Sequence, residues 1–111
     1  MQILLHISEL QKLFVKIEEL GEKIVTSLSK HDMVNYRRSV SDFTRIVKEY
    51  LAQDEQDLNL SYTEQQNYLA VFREIDKQLL LLKELVLAGQ DHRSIVTTVD
   101  HIRSMILDLC S

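Results

Sequence analysis

Proline is absent from all 111 residues of this chain, and glycine occurs only twice, at Gly21 and Gly89. Proline and glycine are the residues that break helices and set tight turns. A chain almost without them is confined to long helices joined by few loops. Hydrophobic residues make up 45% and charged residues 27%, which suits a globular domain. The length supports a single hydrophobic core. The expectation is one helical domain spanning residues 1–111.

Hydrophobic spacing divides the chain into four segments. Ile3, Ile7, Leu10, Phe14, Ile17, Ile24 and Leu28 fall on steps of three and four, with Gly21 in the one empty slot and Leu13, Leu20 and Val25 widening the stripe. A glycine inside a helix costs about 1 kcal/mol relative to alanine. It is either a tolerated weak spot or a place where a neighbouring backbone or ring comes close. "SLSKHDMVNY" breaks this pattern, with Ser29 or Asp32 able to cap a second helix. That helix carries Met33, Tyr36, Val40, Phe43, Val47 and Tyr50, with Ile46 and Leu51 alongside. "AQDEQDLNLSY" reads as the longest loop, where Leu58 and Leu60 could tuck against one end of the domain.

"SYTE" at Ser61 to Glu64 is a capping-box pattern. The third seam runs Tyr68, Phe72, Ile75, Leu79, Leu82 and Val86, and Gly89 stands where a left-handed residue would end the helix. Asp91 or Ser94 can cap a fourth helix bearing Ile95, Val99, Ile102, Ile106 and Leu109. The spacing therefore predicts an all-α fold: an antiparallel helical bundle of three long helices plus a shorter C-terminal helix. Their approximate spans are 2–29, 33–52, 62–88 and 92–109.

The third segment poses a problem of coverage. In "KQLLLLKELVLAGQ", Leu79 to Leu82 are followed by Leu85, Val86 and Leu87, so the helix is apolar on nearly every side. One stripe faces the core of a bundle. The remaining sides need either the chain's own helices or a partner, because contiguous exposed apolar surface marks interaction sites.

Residues that carry chemistry are scarce. His6, His31, His92 and His101 are scattered, and no two have the one-turn spacing of a metal-binding pair. Glu18 and Glu22 share a helix face, but the Glu-x-x-His partner of a dinuclear site is absent. No glycine-rich phosphate loop or nucleophile elbow occurs. The single cysteine, Cys110, fits a small apolar side chain in the last turn and a reducing compartment. The expectations are a non-enzymatic protein with no cofactor and no metal. A net charge of −4 argues against nucleic acid. Arg37, Arg38, Arg45 and Lys48 form the only basic cluster, and Asp42 and Glu49 lie within it, so a salt-bridged helix face is expected. No apolar stretch suits membrane insertion, and "MQILLHISEL" lacks the basic lead-in and cleavage site of a signal peptide. A cytoplasmic location is expected.

The succession of a long first helix, the break "LSKHDMVNY", the basic second helix "YRRSVSDFTRIVKEYL", the leucine-rich "EQQNYLAVFREIDKQLLLLKELV" and the short "IVTTVDHIRSMIL" resembles the FliT family of flagellar type III export chaperones. Met33 or Tyr36 stands where many members carry tryptophan. The resemblance implies a chaperone that binds the C-terminal helical region of the filament-cap protein, prevents its early assembly and delivers it to the export gate and ATPase. In some members the freed chaperone also binds the flagellar master regulator. On this sequence the implied partner groove is Phe43, Val47, Tyr50, Phe72, Ile75, Leu79, Leu82, Leu85 and Val86. Ile95, Val99, Ile102 and Ile106 would form a regulatory cover helix.

Two other readings stand beside it. The protein could be an oligomerisation or adaptor module whose leucine-rich third helix packs against a second copy, as a homodimer, or against another protein. It could also be a small regulator using the basic face, for which the acidic total predicts no duplex binding.

Overall fold

The computed structural model describes residues 7–53, 61–89 and 91–110. Among them the fold is all-helical, with no strand: α1 spans Ser8–Ser27, α2 Lys30–Gln53, α3 Tyr62–Leu87 and α4 His92–Cys110. Their lengths are 20, 24, 26 and 19 residues. Over the described residues the first helix is thus nearly as short as the last. Ile3, Leu58 and Leu60 lie outside the described residues, as do His6 and the acidic run Asp54, Glu55 and Asp57.

The helix ends follow from local side-chain chemistry. Ser29 caps α2 by accepting the Asp32 N–H at 3.4 Å, so of the two candidate caps the serine acts and the helix starts at Lys30. Asp32 instead accepts a hydrogen bond from the Ser27 hydroxyl at 2.8 Å, tying the turn together. At the start of α3 the Ser61 hydroxyl accepts the Glu64 N–H at 3.1 Å. The Glu64 carboxylate answers by accepting from that hydroxyl at 3.2 Å, where a capping box would have it reach the backbone N–H. Gly89 adopts φ +66° past the end of α3, a conformation that glycine reaches without strain. Asp91 caps α4 through the Ser94 N–H at 2.8 Å.

α1 ends differently from the sequence expectation. Leu28, placed on the first seam, takes φ 54° in the left-handed region, with its N–H bonded to the Ile24 carbonyl at 2.8 Å. This reversal turns its side chain away from the core, and it is exposed.

α1 packs against α2 and α4, and α3 packs against the same two helices. The four apolar stripes meet in one core that includes Leu10, Ile17, Ile24, Tyr36, Phe43, Ile75, Leu82 and Ile102. Gly21 is buried in this layer: a Cβ there would lie 3.3 Å from Val99 Cγ1 and 3.5 Å from Tyr36 Cε2. Of the two readings of this glycine, close approach of a neighbour is the one realised, with the Val99 methyl nearer than the Tyr36 ring. Among the described residues, two polar contacts bridge the first and last helices. His92 Nε2 meets the Val25 carbonyl, one of the free carbonyls in the last turn of α1. Arg103 Nε donates to both Glu18 oxygens at 2.8 and 3.0 Å. Since position 92 pairs with 25 and 103 with 18, α4 runs opposite to α1.

Candidate functional site

The leucine run of α3 points in three directions. Leu79, Leu82 and Val86 enter the core beside Phe72 and Ile75, and Leu82 is 0% exposed. Leu81 and Leu85 lie along the seam with α4, where a cleft of about 430 Å³ also touches Arg93, Ser94, Thr97 and Thr98. Leu80 and Leu87 face outward, each 51% exposed. The run therefore exceeds what the chain's own described helices cover.

Leu80 and Leu87 are not isolated. Tyr62 and Leu69 are also exposed, and the four positions are separated by seven, eleven and seven residues. At 3.6 residues per turn these spacings are close to two, three and two turns, so all four return to one side of the helix. Arg73 and Asp76 sit between the two apolar pairs. Leu69 also borders an apolar cleft of about 330 Å³ between α2 and α3, with Leu51, Ala52, Tyr68 and Phe72 as its other apolar walls. The sequence reading missed this outer stripe because it followed only the seam at steps of three and four. The seven-residue spacing of Tyr62 with Leu69 and of Leu80 with Leu87 was the available signal.

The residues assigned from the resemblance all take part in one packed layer. Phe43, Val47, Phe72, Ile75, Leu79, Leu82 and Val86 are buried, while Tyr50 and Leu85 are partly buried against them. The four cover positions Ile95, Val99, Ile102 and Ile106 are buried too. α4 also inserts Thr98, Met105, Leu109 and Cys110, of which Thr98 and Met105 were not anticipated. Thr98 is tolerated there because its hydroxyl donates to the Ser94 carbonyl at 2.9 Å. Burial pushes the Cys110 thiol above its ordinary range, which disfavours the reactive thiolate.

The basic face on α2 is partly neutralised. Arg45 pairs with Glu49 at 3.2 Å and approaches Asp42 at 3.9 Å. Lys48 places its ammonium 5.0 Å from the centre of the Phe72 ring, a cation–π contact on the rim of the α2–α3 cleft. Among the described residues, no three His, Cys, Asp or Glu side chains come together to hold a metal ion. Nor is any described helix long and apolar enough to cross a membrane.

Residues 5–110 match a family described as "Protein of unknown function (DUF327)", and the chain belongs to that family. No curated protein and no solved structure matches the chain significantly.

Proposed function

We propose that this member of the DUF327 family is a non-enzymatic protein-binding module whose docking helix is α3, and that it receives an amphipathic helix of its partner in the manner of a FliT-like export chaperone. The observation that carries the reading is the outward stripe of Tyr62, Leu69, Leu80 and Leu87. Apolar positions at helical repeat spacing suit a partner helix laid along α3, with an anchor side chain in the adjoining α2–α3 cleft. Arg73 and Asp76, between the apolar pairs, would set the register through charge. The concrete partner on this reading is the C-terminal helical region of a filament-cap protein, held in the cytoplasm and passed to the export gate and ATPase. The flagellar master regulator would be an alternative partner of the freed protein. A second copy of the chain on the same stripe is the oligomerisation form of the reading.

A second mode of binding is favoured by the cleft between α3 and α4. It lies along the edge of α4, where an entering helix could begin to replace α4 and take over the layer formed by Phe72, Ile75, Leu79, Leu82 and Val86. Energetics rank this mode second. α4 buries six large apolar side chains, Ile95, Val99, Ile102, Met105, Ile106 and Leu109, worth together roughly 9–18 kcal/mol against an extended unfolded chain. That is comparable with the whole stability of a small domain. Among the described residues the stripe on α3 is exposed, and docking on it displaces no helix.

Calorimetry with a filament-cap C-terminal peptide tests both modes. Binding to the full chain that is lost on Leu80→Asp with unchanged melting supports docking on the outer stripe. Binding that survives Leu80→Asp and tightens when the chain ends at Gln90 supports replacement of α4. Failure of the peptide to bind either form removes the chaperone reading. Concentration-dependent dimerisation sensitive to Leu80→Asp would then support the second-copy form, and a strictly monomeric chain would leave the stripe without a role.

A further inference from the structure

The outward face of α3 carries a symmetry of its own. Tyr62, Gln66, Leu69, Arg73, Asp76, Leu80, Lys83 and Leu87 follow one another in alternating steps of four and three, and every one of them is exposed. This is the spacing of a seam along which two helices pack as a coiled coil. The midpoint of α3, between Glu74 and Ile75, is also the midpoint of the seam. Positions equally far from that point match in kind. Tyr62 answers Leu87 at the two ends, Gln66 answers Lys83, Leu69 answers Leu80, and Arg73 answers Asp76 across the centre.

An order of this kind is complementary to itself under a two-fold axis. Such an axis brings the same patch of both copies together, so that residue i of one faces j of the other and j faces i. Two α3 helices laid antiparallel about the midpoint therefore set Arg73 of each copy against Asp76 of the other. Leu69 meets Leu80 on both sides of this centre, and Tyr62 covers Leu87 beyond. The overlap is the full 26-residue helix, about 39 Å long.

The charges select this arrangement over its neighbours. Parallel packing would set Arg73 against Arg73, Asp76 against Asp76 and Lys83 against Lys83, and like charges in register repel. An antiparallel slip of one heptad would oppose Arg73 to Lys83 and Asp76 to Leu80 in one direction, or Arg73 to Leu69 and Asp76 to Gln66 in the other. Among the described residues, neither Arg73 nor Asp76 forms an ion pair within its own chain. Both charges are thus unspent until a second copy arrives.

We propose that the stripe on α3 is covered, in the absence of another partner, by the α3 helix of a second copy, antiparallel and centred between Glu74 and Ile75. This rests on the reading of α3 as the docking helix and names its resident occupant. A partner helix then has to displace the second copy, so dimerisation regulates access to the stripe. The interface is one helix face with charged central layers, and a dissociation constant on the order of 10 μM is expected of it.

Sedimentation equilibrium of the full chain, at concentrations on either side of that value, is the first test. A monomer–dimer equilibrium is expected. Arg73→Asp and Asp76→Arg change exposed side chains, and each should weaken the dimer about tenfold by creating like-charge pairs at the centre. The double variant Arg73→Asp/Asp76→Arg restores opposite charges across the axis and should recover the parent's affinity. Register is read by oxidising an equimolar mixture of a Leu69→Cys chain and a Leu80→Cys chain. A disulfide between the two chains is expected in preference to a link between like chains, whose two cysteines would lie about 16 Å apart along the seam. Cys110 is buried and does not compete. The proposal is overturned if the chain stays monomeric throughout, if the dimer is indifferent to the single reversals, or if like chains link as readily as unlike ones. Should a reversal variant melt below the parent, the cysteine mixture decides. A monomeric chain that still binds a filament-cap peptide would end this proposal and leave the proposed function standing, whereas a dimer that binds no peptide would do the opposite.

Discussion

Leu28 ends α1 with φ 54°, where the Cβ of an L-residue crowds its own backbone at a cost of roughly 1–2 kcal/mol. Its side chain is 40% exposed, so packing offsets that cost only in part. Leu28→Gly is accordingly expected to raise stability by about 1 kcal/mol, read as a higher urea midpoint at constant slope. A lower midpoint would mean that the leucine side chain makes a contact worth more than the strain. Tyr36 makes a prediction of a different kind. Its phenol has a folded pKa raised above the ordinary value of 10.0 by burial and by the Glu18 and Asp100 carboxylates. The folded state therefore holds the proton after the unfolded chain has released it. The Tyr36 contribution is fully present below pH of about 10 and is lost as pH rises toward the folded pKa. Denaturant melts between pH 9 and 11.5 should show this loss, and Tyr36→Phe should flatten it. An equally steep alkaline loss in the variant would assign the effect to other groups.

At the scale of the helix, α3 has two faces with opposite tolerance. Leu82 is 0% exposed, so Leu82→Asp puts an unpaired charge into the core and is expected to cost on the order of 4 kcal/mol, seen as loss of the cooperative melt. Leu80, 51% exposed, should accept aspartate within about 0.5 kcal/mol. The cap is intermediate: Ser61→Ala removes the oxygen that accepts the Glu64 N–H and should cost about 1 kcal/mol by denaturant titration. These faces also explain what could be read from the sequence. Ile75, Leu79, Leu82 and Val86 were legible as one seam because side chains on one helix face recur at steps of three and four, but not as core in place of a partner groove. The caps at Ser61 and Asp91 and the stop at Gly89 were legible because they need particular residue types. Leu28 was not, because nothing in a leucine announces a left-handed φ. Nor was the direction of each leucine between 79 and 87, since a segment apolar on all sides has no contrast from which to read a face.

Across the whole molecule, the principal dimensions are 46 × 26 × 17 Å, so no point of the core is far from the surface and α3 is bound to have an outer side. α1 and α4 close the opposite side, held by the Glu18–Arg103 pair and by His92 on the Val25 carbonyl. The pair is mostly exposed on the arginine side, and such bridges contribute roughly 0–1 kcal/mol. The docking of α4 therefore rests on its apolar stripe rather than on charge. Raising the salt concentration should leave melting nearly unchanged. A large salt-induced drop in melting would show that charge holds α4 in place. The central claim is that the molecule meets its partner through the side of α3 that its own helices leave uncovered. The most direct measurement is a titration of the ¹⁵N-labelled full chain with a filament-cap C-terminal helical peptide, followed at the Leu69, Leu80 and Leu87 amides. Saturable shifts centred on those residues, abolished by Leu80→Asp while the melt is unchanged, are the expected result. Shifts confined to α4 and the buried side of α3, or no shifts at any peptide concentration, would contradict it.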